Sequence, residues 1–194
     1  MFAFDLKLTA IAIRTIRRPY TSAPNFLGEK SMEQALDLAG FFAAHGVWCV
    51  SDGEALIPML AHIDQAGERS MSRFAAERLE DGVAEGKKQL AENPGNSVCA
   101  VLVYDGYVTL ASGKTDALLI EIKSYSDPSE VLSMAIPYRN RNASQGFSVY
   151  RPKFLAYEGG ENPDYAKFGE VFFKGVDSHS KGAEVWNKAI DQSI

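Results

Sequence analysis

Residues 97–125 read SVCAVLVYDGYVTLASGKTDALLIEIKSY. Three runs rich in β-branched and other apolar residues, SVCAVLVY, YVTLA and DALLIEIKSY, are separated by Asp105-Gly106 and by Ser112-Gly113-Lys114-Thr115. Asp-Gly supplies the positive φ angles of a tight two-residue turn, so the first two runs are expected to form a hairpin and all three an antiparallel meander. Further strands are expected at 131–138 and 147–157, on either side of the polar loop RNRNASQG. Pro137 and Pro152 lack a backbone donor and point to edge or interrupted strands there.

Outward from this block the texture is helical. Ser31 followed by Gln34 has the form of a capping box, and Ala35, Leu36, Leu38, Ala39, Phe42 and Ala43 continue an apolar stripe. Gly46 sits where a left-handed C-terminal cap is expected, with VWCV after it as a short buried strand and Ser51-Asp52-Gly53 as a turn. From Glu54 to Asn93 the composition predicts two helices broken at Gly67, the longer carrying Phe74, Leu79, Val83 and Leu90 on its buried face. Its Gly82 and Gly86 either permit close packing or interrupt it. Beyond Pro163, Asp164 caps a segment with Tyr165, Phe168, Val171, Phe172 and Phe173, and Ser180 opens another with Val185, Trp186, Ala189 and Ile190. Helices then bracket a central run of strands, which predicts an α+β fold, with a mainly antiparallel sheet, as a single domain over residues 1–194.

Composition narrows the function classes. The 194 residues are 46% hydrophobic, which excludes intrinsic disorder, and two cysteines are too few for a disulfide framework. Cys49 and Cys99 lie in apolar runs, as small buried hydrophobes do, and fit a reducing cytoplasm. No run approaches the roughly 18 apolar residues of a membrane span, and Asp5 and Lys7 break the N-terminal apolar stretch, so neither a membrane partner nor a secretory signal is expected. The net charge of −5 is uneven: residues 1–24 carry four bases and one acid, residues 28–96 six bases and twelve acids. The Phe2, Phe4, Leu6, Leu8 alternation is strand-like and could extend the chain's own sheet or a neighbour's, the latter giving a homo-oligomer.

Two groups of residues carry candidate chemistry. Asp105 and Asp116, followed by Glu121-Ile122-Lys123, resemble the signature of the PD-(D/E)xK nuclease superfamily. That resemblance implies a divalent metal such as Mg held by Asp105 or Asp116 together with Glu121, and Lys123 positioning or activating the attacking water. No Pro precedes either aspartate, and on one strand Asp116 and Glu121 would point to opposite faces. The bland alternative has Leu118, Ile120 and Ile122 facing the core and Glu121 with Lys123 on the solvated side. The second group lies in Val131 to Tyr157, which contains no acid and interleaves Arg139, Arg141, Arg151 and Lys153 with Tyr138, Phe147, Tyr150 and Phe154. Guanidinium groups beside aromatic rings suit a small anionic ligand or a protein partner. The sequence pI near 5.3 argues against nucleic acid. His45, His62 and His179 fall in no recognised metal or catalytic motif. The leading expectation is a non-enzymatic binding or protein-interaction domain that uses the Arg and aromatic surface without a cofactor, and the alternative is the metal-dependent nuclease.

Overall fold

The structure is a computed structural model that describes residues 2–3, 26–111, 113–160 and 163–192, with side chains from 31 onward. The rest of the N-terminal alternation, Phe4 to Leu8, and Ser112 lie outside the described residues. The chain runs β1 (Phe2–Ala3), α1 (Phe26–Val50), β2 (Met59–Ile63), β3 (Arg69–Arg73), α2 (Leu79–Glu92), β4 (Cys99–Leu110), β5 (Gly113–Ser124), β6 (Glu130–Arg139), β7 (Ser148–Val149), β8 (Lys153–Glu158), α3 (Tyr165–Asp177) and α4 (Ser180–Ala189). The fold is α+β. The sheet is ordered β3-β2-β4-β5-β6-β7, with β8 also on β6, and these pairings are antiparallel. Phe2 and Ala3 pair in parallel with Gly106 and Tyr107 of the same chain.

The meander is present, but with different turns. Asp105-Gly106 is not a turn. It lies inside a twelve-residue β4 that stays paired with β5 from Cys99↔Ser124 to Leu110↔Gly113. Continuous pairing over that length, with β1 added at Gly106, outweighs the local turn preference of the dipeptide. The meander is therefore β4-β5-β6. Pro137 sits within β6 opposite Ala117, and Pro152 separates β7 from β8.

Two helical expectations are also corrected. The segment Glu54 to Arg73 is a hairpin, because MLAHI is buried on both faces between β3 and β4 and cannot present the polar side a surface helix needs. Gly67, expected as a helix break, has φ +85° in the hairpin turn, where the Asp64 carboxylate accepts from the N–H groups of Ala66 and Glu68. Helix α1 starts before Ser31 and runs through Gly46 to Val50, so VWCV is helical. Ser31 donates instead to the Val98 carbonyl and accepts from the Ser124 hydroxyl, which ties α1 to the sheet. At Gly46 a Cβ would stand 3.0 Å from Leu118 Cδ1, so its value is close approach to the sheet rather than a cap. Gly82 and Gly86 are likewise packing glycines in an unbroken α2. The Asp164 cap is present, bonding the N–H groups of Ala166 and Lys167, whereas α4 is capped by His179 one residue before Ser180.

Strand alternation sorts the sheet into two faces. Cys99, Val101, Val103, Leu118, Ile120, Ile122 and Ile136 join α1, Phe172, Val176 and Trp186 in the main core. Ala100, Leu102, Tyr104, Leu119 and Ala135 form a smaller core with Val83 and Leu90 of α2 on the other face. Helices α3 and α4 pack against α1 and against each other. Helix α2 therefore covers one face of the sheet, and α1 covers the other with α3 and α4 beside it, α3 against β8 and α4 against β7.

Candidate functional site

The two faces decide the fate of the carboxylate group. Asp105 is opposite Leu118 and therefore lies on the α1 face. Asp116, opposite Tyr107, shares that face, whereas Glu121, opposite Leu102, and Lys123, opposite Ala100, lie on the α2 face. The sheet stands between them, so the shared metal site that the nuclease resemblance implies is not formed. Among the described residues no group of three His, Cys, Asp or Glu side chains could hold a metal ion. Glu121 instead accepts from the Tyr104 hydroxyl at 2.7 Å and pairs with Lys87 of α2 at 2.6 Å. Lys123 donates to the Ala91 carbonyl at the end of α2. Asp105 accepts from the Tyr138 hydroxyl at 2.9 Å; burial pushes its carboxyl above the usual range, and Asp116 adds to that against the opposing Tyr138 bond.

The Arg and aromatic segment is divided among four places. Arg139 is consumed internally: Nε donates to the Gly146 carbonyl, one terminal nitrogen to Tyr150 Oη and the other to Ser148 Oγ, with Asp191 3.8 Å away. Tyr138 and Tyr150 are buried beside it. Arg141 reaches Asp52 across the surface at 3.2 Å. Lys153 pairs with Ala135 and so projects toward the α2 face.

Of the four basic residues, Arg151 is the one that reaches a cleft. It follows β7, and Pro152 stops the strand there, which turns its side chain toward the C-terminal tail, where it donates to Gln192 Oε1 at 2.8 Å. The cleft, about 340 Å³, is walled by Met134, Phe154, Phe172 and Phe173, with Ile190, Gln192 and Arg151 at its mouth. Its depth comes from Gly169 of α3, where a Cβ would meet nothing within 4 Å. Trp186 packs on Phe172 and Phe173, with centroids 6.3 and 6.0 Å apart, and its buried indole N–H has no partner among the described residues.

Comparison with family models, curated proteins and solved structures finds no match. The chemistry of the site therefore rests on this geometry.

A second cleft, about 450 Å³, opens at the C-terminal end of α1 between His45, Trp48, Cys49, Asp52, Glu54, Ile57 and Arg73. The sequence carried no motif for it, because His45, Arg73 and His179 come from three elements distant along the chain. Burial pushes the Cys49 thiol above its usual value and the Cys99 thiol up to about 12, so neither is a ready nucleophile. Ser70 Oγ lies 2.7 Å from His62 Nε2 across β2-β3, but among the described residues no acid holds the other ring nitrogen and the pair stands on an exposed hairpin. No helix of the described residues is long and apolar enough to cross a membrane.

Proposed function

We propose that this chain is a binding protein whose ligand is an amphipathic carboxylate, held with its apolar body in the cleft between β6, β8 and α3 and its carboxylate on Arg151. The observation that carries this reading is a single guanidinium, paired with Gln192, at the mouth of a cleft whose walls are apolar and aromatic. Apolar walls reward burial at about 25 cal/mol per Å² but give no orientation. A charge-assisted bond from Arg151 fixes which end of the ligand faces out. Gln192, which now accepts from Arg151, can be displaced by a carboxylate oxygen without leaving a buried group unpaired, since the pair is exposed. Exposed Phe173 and Ile190, with Tyr165 stacked 5.0 Å from Phe154, extend the apolar surface beyond the mouth.

Calorimetry with octanoate and octanol tests the reading. Octanoate should bind saturably and more tightly than octanol. Arg151→Met should weaken octanoate about tenfold, the worth of one charged hydrogen bond, and leave octanol unchanged. Equal octanoate affinity in wild type and variant, or no saturable binding in the millimolar range, would overturn it.

A further inference from the structure

His179 closes the N-terminus of α4: its Nδ1 accepts the Gly182 N–H at 3.0 Å. That nitrogen must carry a lone pair, so in the neutral ring the proton sits on Nε2. Nε2 lies 3.1 Å from His45 Nδ1 and donates to it. His45 Nδ1 is then the acceptor, and its own proton sits on Nε2. Yet His45 Nε2 faces a terminal nitrogen of Arg73 at 3.0 Å, and a guanidinium has only donors. Three contacts along four ring nitrogens tolerate one imidazole proton, whereas two neutral imidazoles carry two. Protonating either ring adds to the surplus. Burial, then His179, then Arg73 hold His45 below its usual value, which keeps the ring neutral with a single N–H to give.

The chain of bonds lacks an acceptor between Arg73 and His45. Among the described residues Arg73 has no carboxylate partner, although Arg69, four residues earlier on the same strand face, pairs with Asp37 of α1 at 2.6 Å. A metal ion between the two rings does not solve the deficit: a metal on His179 Nε2 would leave the proton on Nδ1, against the Gly182 N–H. An oxygen with two lone pairs placed between Arg73 and His45 does, and Arg73 is exposed and free to swing back to admit it.

We propose that the cleft beside His45 is a second ligand site, in which a carboxylate bridges the Arg73 guanidinium and the Nε2–H of His45. Every charged group facing it bears on the class of anion. Arg73 and Lys181, the latter 5.1 Å from the Trp48 ring centroid, are positive, while Asp52 and Glu54 line the same cleft and disfavour a dianion. Arg141 offsets Asp52 in part. A monoanionic carboxylate on an aromatic or apolar body fits this balance, the body lying against Trp48 and Ile57. This site is independent of the Arg151 cleft.

Imidazole ¹⁵N NMR of the full chain with benzoate, benzamide and inorganic phosphate tests it. Both rings should be Nε2–H tautomers, and benzoate should move the His45 Nε2 resonance saturably, with phosphate weaker and benzamide without effect. Arg73→Gln, at an exposed position, should weaken benzoate about tenfold, whereas Arg151→Met should leave the His45 response intact. A response equal for benzamide and benzoate, or unchanged by Arg73→Gln, would show that no carboxylate bridges Arg73 and His45 and would sink the proposal. Tighter binding of phosphate than benzoate would overturn the assigned ligand class.

Discussion

Asp105 shows how a residue's place in the sheet overrides what its local sequence suggests. As a carboxylate after a strand it looks like a turn or a metal ligand; in the sheet it is a half-buried acid on the α1 face, bonded to Tyr138 and near Asp116. Its pKa is raised by burial from an ordinary 3.8, so the folded state binds its proton more tightly than the unfolded chain does. The stability this contributes is complete below 3.8 and is lost as pH rises through the raised value, leaving a buried charge at neutrality. Asp105→Asn keeps an acceptor for Tyr138 and removes that charge, so we expect a higher Tm at pH 7. Each kcal/mol gained corresponds to about 2–4 °C in a chain of this size. The difference should shrink as pH falls through the raised value, where the wild-type carboxyl protonates. A variant no more stable at pH 7 than the wild type would show that the charge is solvated after all.

Helix α1 is held against α3 by backbone contact, and this places the cleft walls. A Cβ on Gly40 would stand 1.9 Å from the Phe172 carbonyl, and one on Gly175 would stand 2.0 Å from the Asp37 carbonyl. These obstacles are backbone atoms, which cannot rotate aside. Alanine's intrinsic helical advantage over glycine is about 1 kcal/mol, whereas overpacking costs about 1–3 kcal/mol and sometimes more. Gly175→Ala should therefore lower stability by about 3 kcal/mol in urea unfolding. Gly169→Ala, on the same helix with open space at its Cβ, should be neutral or slightly stabilising. Equal effects at the two positions would mean that helix propensity, not the α1–α3 crossing, governs this element. Glycine spacing alone did not distinguish these cases, since a glycine reads alike in sequence whether it faces a carbonyl or empty space.

Across the whole molecule, pH acts through the same buried groups. His45 has its folded pKa depressed below an ordinary 6.5, so the unfolded chain takes up a proton first as pH falls. Stability from His45 is present above 6.5 and declines as pH drops from there toward the folded value. Asp105 works in the opposite sense at lower pH, as its proton is favoured by folding. Urea unfolding should show a decline between pH 7 and 5 that is absent in His45→Gln. If that variant retains the full decline, another group is responsible.

The α+β class, the sheet-rich middle and the C-terminal helices were legible in the sequence because they depend on local periodicity and capping, as with Asp164 and the Val98-to-Tyr125 runs. So was the opposite facing of Asp116 and Glu121, which follows from a strand period of two. Three things were decided only by tertiary structure. Whether MLAHI is strand or helix depends on neighbours covering both its faces, and whether Asp105-Gly106 turns depends on the partner strand continuing past it. The convergence of His45, His179 and Arg73 depends on a helix, a cap and a strand edge meeting across the fold. Such contacts are non-local, and no spacing along the chain encodes them.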